Sequence, residues 1–304
     1  MTGTLLTVAD GVHAYVQEPG GWCVNNAGVV VGEDAVLVVD TAATERRALA
    51  LRAAVDSVAR GPRRILVSTH HHGDHTFGNH VFGGPHSLLI GHQAGTAELL
   101  RKGTALQKMW PQVEWGSTPV VLPSLTVREG ATLNLGGTEV ELIHPGVAHT
   151  SDDLAVWLPE QRVLFAGDLV FSGAAPFVLM GSLSGSLRAL DLLRELDPLV
   201  VVGGHGPVGG PELLDFTEGY LRWVAGLARR GLTDGLDPLA TAQRAQRAEP
   251  DAYAGLLDAE RLVGNLHRAF HEAAGGVPGA RIESAPAMRE MVVLNGGRPL
   301  RCLA

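Results

Sequence analysis

Lysine is almost missing from this chain of 304 residues: Lys102 and Lys108 are the only two. The net charge of −8 lacks the basic excess that non-specific nucleic-acid binding needs. Lysine scarcity beside abundant Ala, Gly, Val and Arg reads as a composition bias of the genome. Cysteine is as scarce. Cys23 and Cys302 cannot build a disulfide framework, and that pattern fits a reducing compartment. No apolar run approaches the ~20 residues needed to span a bilayer. Residues 1–6 carry neither a basic nor a long apolar signal region. The expectation is a cytoplasmic protein without membrane or nucleic-acid partners. Internal repeats and low-complexity segments are absent too. What remains is an ordinary globular composition, 45% hydrophobic and 18% charged, long enough for one large domain or a domain with an appendage.

What the chain does have is a dense histidine stretch, Thr69-His70-His71-His72-Gly73-Asp74-His75. Read at alternate positions it is His70-x-His72-x-Asp74-His75, directly after the apolar run 64–68. The flanking pattern is mixed α/β. Strands are expected over 4–16, 25–32 and 35–40, with continuous β-branched runs that suggest burial on both faces. A helix is expected over 44–60, with Leu49, Ala53 and Val55 inward, the arginines outward and a stop at Gly61-Pro62. Residues 64–69 form the next strand, 75–81 a short helix, 88–90 a strand and 93–108 a helix. From 120 to 144 the pattern is β, with a Gly136-Gly137 hairpin signal. Strands at 154–158, 162–166 and 199–202 and a helix at 186–196 complete this part. After Pro211 the pattern turns helical, over 211–230, 237–248 and 258–274. The domain reading is a catalytic unit over 1–210 and a mainly helical region over 211–304 packed on it.

Further ligand types follow later strands: His149 after 140–143, Asp168 after 163–166 and His205 after 200–202. Loops converging at one sheet edge make one site. His70, His72 and His149 count as ligands of one metal; Asp74, His75 and His205 serve a second, and Asp168 can bridge with its two oxygens. Imidazole and carboxylate without thiolate suit zinc, with iron or manganese as alternatives. Three protein ligands per metal plus a bridge leave positions open for water and substrate, as in catalytic sites. His71 lies between ligands and is expected to point the other way. Lone histidines are usually surface or structural, so His13, His80, His86, His92, His144, His267 and His271 are read as non-ligands. His267 and His271 stand at i, i+4 on a helix, but no third ligand is evident.

This ligand set resembles that of the metallo-β-lactamase superfamily over residues 10–210. The resemblance implies an α/β fold, a four-layer αβ/βα sandwich with the metals at one edge and here a helical C-terminal extension. It also implies that Asp40 supports the metal loops; alternatively Asp40 caps the following helix. Asp168 sets the chain apart from most exported zinc β-lactamases, and His72 from the diiron oxygen-reducing members, which carry Glu there. The interval from Asp168 to His205 is too short for the inserted domain of the nucleic-acid-processing members.

Further stretches, Pro19–Gly28, Phe171–Ser182, Leu257–Ala269 and Asn295–Ala304, are similar to bacterial aromatic polyketide second-ring cyclases of the actinorhodin type. That resemblance implies a cyclase and thioesterase. It would close the second ring of a poly-β-ketone bound to an acyl carrier protein by aldol condensation and dehydration, then hydrolyse the thioester. Asp74 or Asp168 would support proton removal or water attack. A flat, apolar substrate needs a flat, apolar pocket, for which Trp22, Trp115, Phe177, Leu179 and Met180, with Trp110, are candidate walls. Arg222, Arg229, Arg230, Arg244 and Arg247 are candidate docking residues for the acidic carrier, although solvated helix faces in an Arg-rich chain explain them better. Two other readings stay open: a general dinuclear zinc hydrolase of a small thioester or lactone, and a metal-binding accessory protein without turnover.

Overall fold

A computed structural model describes residues 3–59, 63–84, 87–249 and 251–304. Among the described residues, twelve strands form two sheets. The larger runs in chain order through β1 (Thr4–Ala9), β2 (Val12–Val16), β3 (Ala27–Val31), β4 (Val36–Val39), β5 (Arg64–Val67), β6 (Ser87–His92) and β7 (Leu125–Val127). The smaller contains β8 (Gly130–Asn134), β9 (Glu139–Ile143), β10 (Ala155–Leu158), β11 (Val163–Phe171) and β12 (Val200–His205), in the order β12-β11-β10-β9-β8. Pairing is antiparallel from β1 to β4 and parallel from β4 to β7, and β11 and β12 are parallel.

The alternation along each strand explains the layers. Leu37 and Val39 of β4, Ile65 and Val67 of β5, Val156 and Leu158 of β10, and Val163 and Phe165 of β11 meet in one core between the sheets. Val36, Val38 and Leu66 face the other way, onto Leu51 and Val55 of α1 (Glu45–Val58). Ala155, Trp157, Leu164 and Ala166 face a third core shared with α5 (Leu183–Glu195), α6 (Glu212–Thr233) and α8 (Arg261–Ala273). Both sheets are therefore apolar on both faces, which is why their strands read as unbroken β-branched runs. Helix, sheet, sheet, helix is the four-layer α/β sandwich, and α7 (Pro238–Ala248) and α9 (Ser284–Leu294) continue the helical C-terminal part. No helix among the described residues is long and apolar enough to cross a membrane.

Several local expectations change. Residues 4–16 are a hairpin, not one strand. In α1 the buried face is Arg47, Ala48, Leu51 and Val55, while Leu49 is 54% exposed. Leu49 stands about 200° round the helix from Leu51 at 3.6 residues per turn, so the two cannot share a face. The helix expected over 93–108 ends as α4 (Gln93–Lys102), followed by a 3-10 turn at Ala105–Met109. The short helix expected at 75–81 is two pieces, α2 (Gly73–Thr76) and α3 (Asn79–Phe82). The helix α9 is an addition to the three helices expected after Pro211. Gly61-Pro62 and His86 lie outside the described residues.

Candidate metal centre

Strands that run in one direction deliver their carboxyl ends to one edge. β4 is followed by Asp40, β5 by the histidine stretch, β9 by the loop with His149, and β12 ends at His205. Asp168 differs from expectation. It lies inside β11, not after it, because register shifts at Gly167 distort the β11–β12 ladder, and a local bulge re-aims a side chain.

All seven expected ligands come together. Donor atoms of His70, His72, His149 and Asp168 lie within 4.8 Å of one another, and those of Asp74, His75 and His205 form a second such group. Asp168 faces both groups. Its Oδ2 lies 3.3 Å from His149 Nε2 and 3.9 Å from His70 Nε2; its Oδ1 lies 3.2 Å from His75 Nε2 and 3.4 Å from His205 Nε2.

The outer hydrogen bonds decide what the inner atoms can do. His149 Nδ1 donates to Phe177 O at 2.5 Å, and His205 Nδ1 to Val24 O at 3.1 Å. His75 Nδ1 donates to Asp40 Oδ2 at 2.8 Å. Thr69 Oγ1 donates to Asp40 Oδ2, so it accepts from His70 Nδ1 at 3.1 Å. Four imidazoles thus place Nδ1–H on an outer acceptor and turn Nε2 inward. His72 Nδ1 lies 3.0 Å from both His70 Nε2 and His149 Nε2. Imidazole nitrogens and carboxylate oxygens that converge at these distances suit a bound cation. His75 Nε2 and Asp168 Oδ1 are buried without a hydrogen bond, as atoms meant for a metal would be.

Electrostatics agree. Burial, then the neighbouring histidine charges, push His70 and His72 well below the ordinary imidazole range, and burial takes His149 down to about 4. Burial alone would raise the Asp168 and Asp74 carboxyls. The surrounding imidazoles, led by His205 for Asp168 and His75 for Asp74, outweigh it and lower both. The same carboxylates hold His205 up at about 9 and His75 well above the ordinary imidazole value against burial, so these two would have to release their Nε2 proton when a cation binds.

A family model of the metallo-beta-lactamase superfamily matches residues 20–205, a span that contains every one of these candidate ligands. The chain belongs to the metallo-beta-lactamase superfamily. It is 25% identical over 226 residues to a metallo-beta-lactamase type 2 of Bacteroides fragilis, covering 71% of this chain and 84% of that protein. A hydroxyacylglutathione hydrolase of Prochlorococcus marinus (strain MIT 9301) is 29% identical over 134 residues. That match covers 44% of this chain and 46% of the relative, so the chain spans under half of that relative's length. The solved metallo-beta-lactamase of Pontibacter korlensis superposes with a TM-score of 0.62 at 20% identity, over 73% of this chain and 99% of that one, a likeness of fold.

Within this superfamily architecture, Asp40 is an anchor for the metal loops and not a helix cap. Its Oδ1 accepts from Thr69 N at 2.7 Å and its Oδ2 from Thr69 Oγ1 and His75 Nδ1, while Thr44 caps α1. Asp40 adopts φ 61, a conformation unusual for a side chain with a Cβ, and the three hydrogen bonds hold it there. Replacing Asp40 by Ala frees Thr69 and removes the acceptor that fixes the His75 tautomer. Metal affinity is expected to fall about 10–100-fold, the usual effect of losing such a partner. Competition with a chromogenic chelator measures it, and an unchanged affinity would remove Asp40 from this role.

A cleft of about 310 Å³ opens over His72, with Trp22, Phe77, Leu106, Phe177, Leu179 and Met180 in its mainly apolar wall. A deeper recess of about 60 Å³ leads from it to Asp74, His149, Asp168 and His205. Four of the six expected wall residues therefore line the cleft. Trp115 is not: it packs on Phe77 from behind and donates Nε1 to Trp110 O. Trp110 is likewise buried, with Nε1 on Leu300 O. A second cleft of about 310 Å³, lined in part by Tyr220, Trp223 and Tyr253, lies among the C-terminal helices away from the ligands.

Three buried polar residues on α8 shape the first cleft. Arg261 NH1 donates to Ala175 O, Asn265 Nδ2 to Pro176 O, and Arg268 to Leu179 O, while Asn265 Oδ1 accepts from Val178 N. They hold the segment whose Phe177 carbonyl orients His149. At positions 261, 265 and 268 they form a polar stripe at i, i+4, i+7 on a helix, a signal the sequence carried. His71 points away from the ligands, as expected, onto Asp152. His267 pairs with Glu290.

Proposed function

We propose that this chain is a two-zinc enzyme of aromatic polyketide biosynthesis. It closes the second ring of a carrier-protein-bound poly-β-ketone and hydrolyses the thioester that holds the product. The observation that carries this reading is the placement of two ligand groups, joined by Asp168, below an apolar cleft walled by Trp22, Phe177 and Leu179. The hydroxyacylglutathione hydrolase likeness supports a thioester as the bond attacked. The stretches that resemble second-ring cyclases, Phe171–Ser182 and Leu257–Ala269, contribute the cleft wall and the helix that braces it.

His70, His72, His149 and one Asp168 oxygen would hold one zinc; Asp74, His75, His205 and the other oxygen would hold the second. Bound there, zinc supplies Lewis acidity toward a carbonyl and brings the pKa of a water toward ~7. The chain's own groups do the rest. Asp74 and Asp168 reach the recess floor and are the carboxylates positioned to take a proton, either from water or from a methylene between two ketones. In hydrolysis the water oxygen bonds to the acyl carbon and the sulfur leaves with a proton. In ring closure the enolate carbon bonds to a ketone carbon, and water is then lost. The apolar wall orders a flat chain and limits competing water. The partner this implies is an acyl carrier protein. Of the arginines weighed for docking it, Arg222, Arg230 and Arg244 are in ion pairs on their own surface, so they add no support.

Reconstitution with a minimal polyketide synthase, ketoreductase and first-ring aromatase tests this. The product is expected to shift from monocyclic shunt compounds to a bicyclic one, and His72→Ala is expected to abolish both this shift and thioester hydrolysis. An unchanged product profile with turnover of simple thioesters or lactones would leave the second reading, a general hydrolase. The third, a metal-binding accessory protein, gives no reason for the cleft over His72.

A further inference from the structure

The cleft contains a cation that the metal chemistry does not use. Lys102, one of two lysines among 24 lysines and arginines, ends α4 and lines the wall beside His72. Its Nζ donates to His71 Nε2 at 2.8 Å and lies 3.2 Å from the weak acceptor Met180 Sδ. His71 Nδ1 in turn donates to the buried Asp152 Oδ1 at 2.6 Å, which leaves Nε2 only a lone pair to offer. At position 95 in α4, a Cβ would collide with the Asp152 carboxylate, and the residue there is glycine. The neighbouring cations are engaged. Arg268 donates to the Leu179 and Ala280 carbonyls, while Arg101 and Arg281 both pair with Glu98. An ammonium carries three protons, and the partners of Lys102 among the described residues account for two. Burial lowers Lys102 to about 8, which still leaves it mostly charged at neutral pH.

We propose that Lys102 receives an anionic oxygen on the acyl chain of the substrate, and that His71 and Asp152 are positioning residues that aim its ammonium into the cleft. Such an oxygen belongs either to a carboxylate or to the enolate of a β-diketone. This rests on reading the cleft as an acyl-substrate site. Arg in place of Lys would bring a fork too wide for one nitrogen acceptor; the compact ammonium fits the His71 lone pair.

The test is equilibrium binding of three unreactive ketones, made by replacing sulfur with methylene in N-acetylcysteamine thioesters. Their acyl groups are hexanoyl, adipyl and 3,5-dioxohexanoyl, and isothermal titration reads their affinities. In the native enzyme one of the two oxygen-bearing ketones is expected to bind at least ~10-fold tighter than the hexanoyl one, the range of a charge-assisted hydrogen bond. Adipyl preference identifies a carboxylate, dioxohexanoyl preference an enolate. In Lys102→Met the ratio is expected to fall to near one, with Lys102→Arg partly restoring it and His71→Ala intermediate; circular dichroism checks the fold of each. Equal affinities in the native enzyme, or a ratio that survives Lys102→Met, would overturn the proposal. A ratio that collapses while the polyketide product profile stays unchanged removes the cyclase reading and keeps this one. The opposite pair of results does the reverse.

Discussion

Asp168→Asn is expected to cut the proposed thioester hydrolysis by ~10³-fold or more, with the fold intact. Asp168 is the one side chain whose two oxygens look into different ligand groups, Oδ2 toward His70 and His149 and Oδ1 toward His75 and His205. Asparagine keeps the shape but turns one oxygen into an amide that can only donate. The inward Nε2 atoms of one group would receive hydrogen bonds from it, in place of sharing a negative ligand with a cation. The carboxylate charge that balances the centre is also lost. Removal of a partner one shell further out costs about 10–100-fold in metal affinity, so the direct ligand sets a larger loss. Loss of a single preorganised charge contact costs about 10²–10³-fold in rate. Release of thiol from an acyl thioester measures the rate, and elemental analysis the metal content. An Asp168→Asn enzyme that retained more than a tenth of its activity and its full metal load would sink the bridging assignment.

The candidate ligands were legible because metal chemistry admits few residue types and each followed a short β-branched run. His149 and His205 needed only the inference that parallel strands end at a common edge. Asp168 was harder: a bulge at Gly167 keeps it inside β11, and bulges depend on the neighbouring strand. The contacts of Lys102 left no mark in the sequence. Its partner His71 lies 31 positions away and Asp152 a further 81 from His71, so no local window connects them. Trp115 was misplaced for a related reason. An aromatic ring in an irregular loop can turn toward the core or the cleft, and the choice depends on Phe77 and Trp110. The face of α1 was lost to a wrong phase, although Ala48, Leu51 and Val55 were there at helical spacing. What travelled poorly was long-range packing of single side chains; the periodicity of buried strands travelled well.

Gly204→Ala is expected to empty the centre without touching a ligand. An ideal Cβ at position 204 falls on Asp168 Oδ1 and crowds the Gly167 and Asp168 backbone at 2.8 and 2.9 Å. The residue cannot back away, because Gly204 O accepts from Asn26 N at 2.7 Å and β12 pairs with β11 alongside. The carboxylate must swing out of both ligand groups or the two strands must part. Overpacking of this kind costs about 1–3 kcal/mol, enough to lower the melting temperature by several degrees but not to unfold a chain of this size. Activity and metal affinity are expected to fall at least ~10²-fold. General destabilisation could mimic that, and a second glycine separates the two. Gly226 lies within α6, where an added Cβ meets only the flexible end of Arg230 at 3.5 Å. Gly226→Ala therefore stabilises by up to about 1 kcal/mol through helix propensity. In the Gly204→Ala/Gly226→Ala protein the melting temperature is expected to recover in part while metal affinity does not. Recovery of both would show that the glycine at 204 serves stability alone; recovery of neither affinity nor activity places its missing side chain in the service of Asp168.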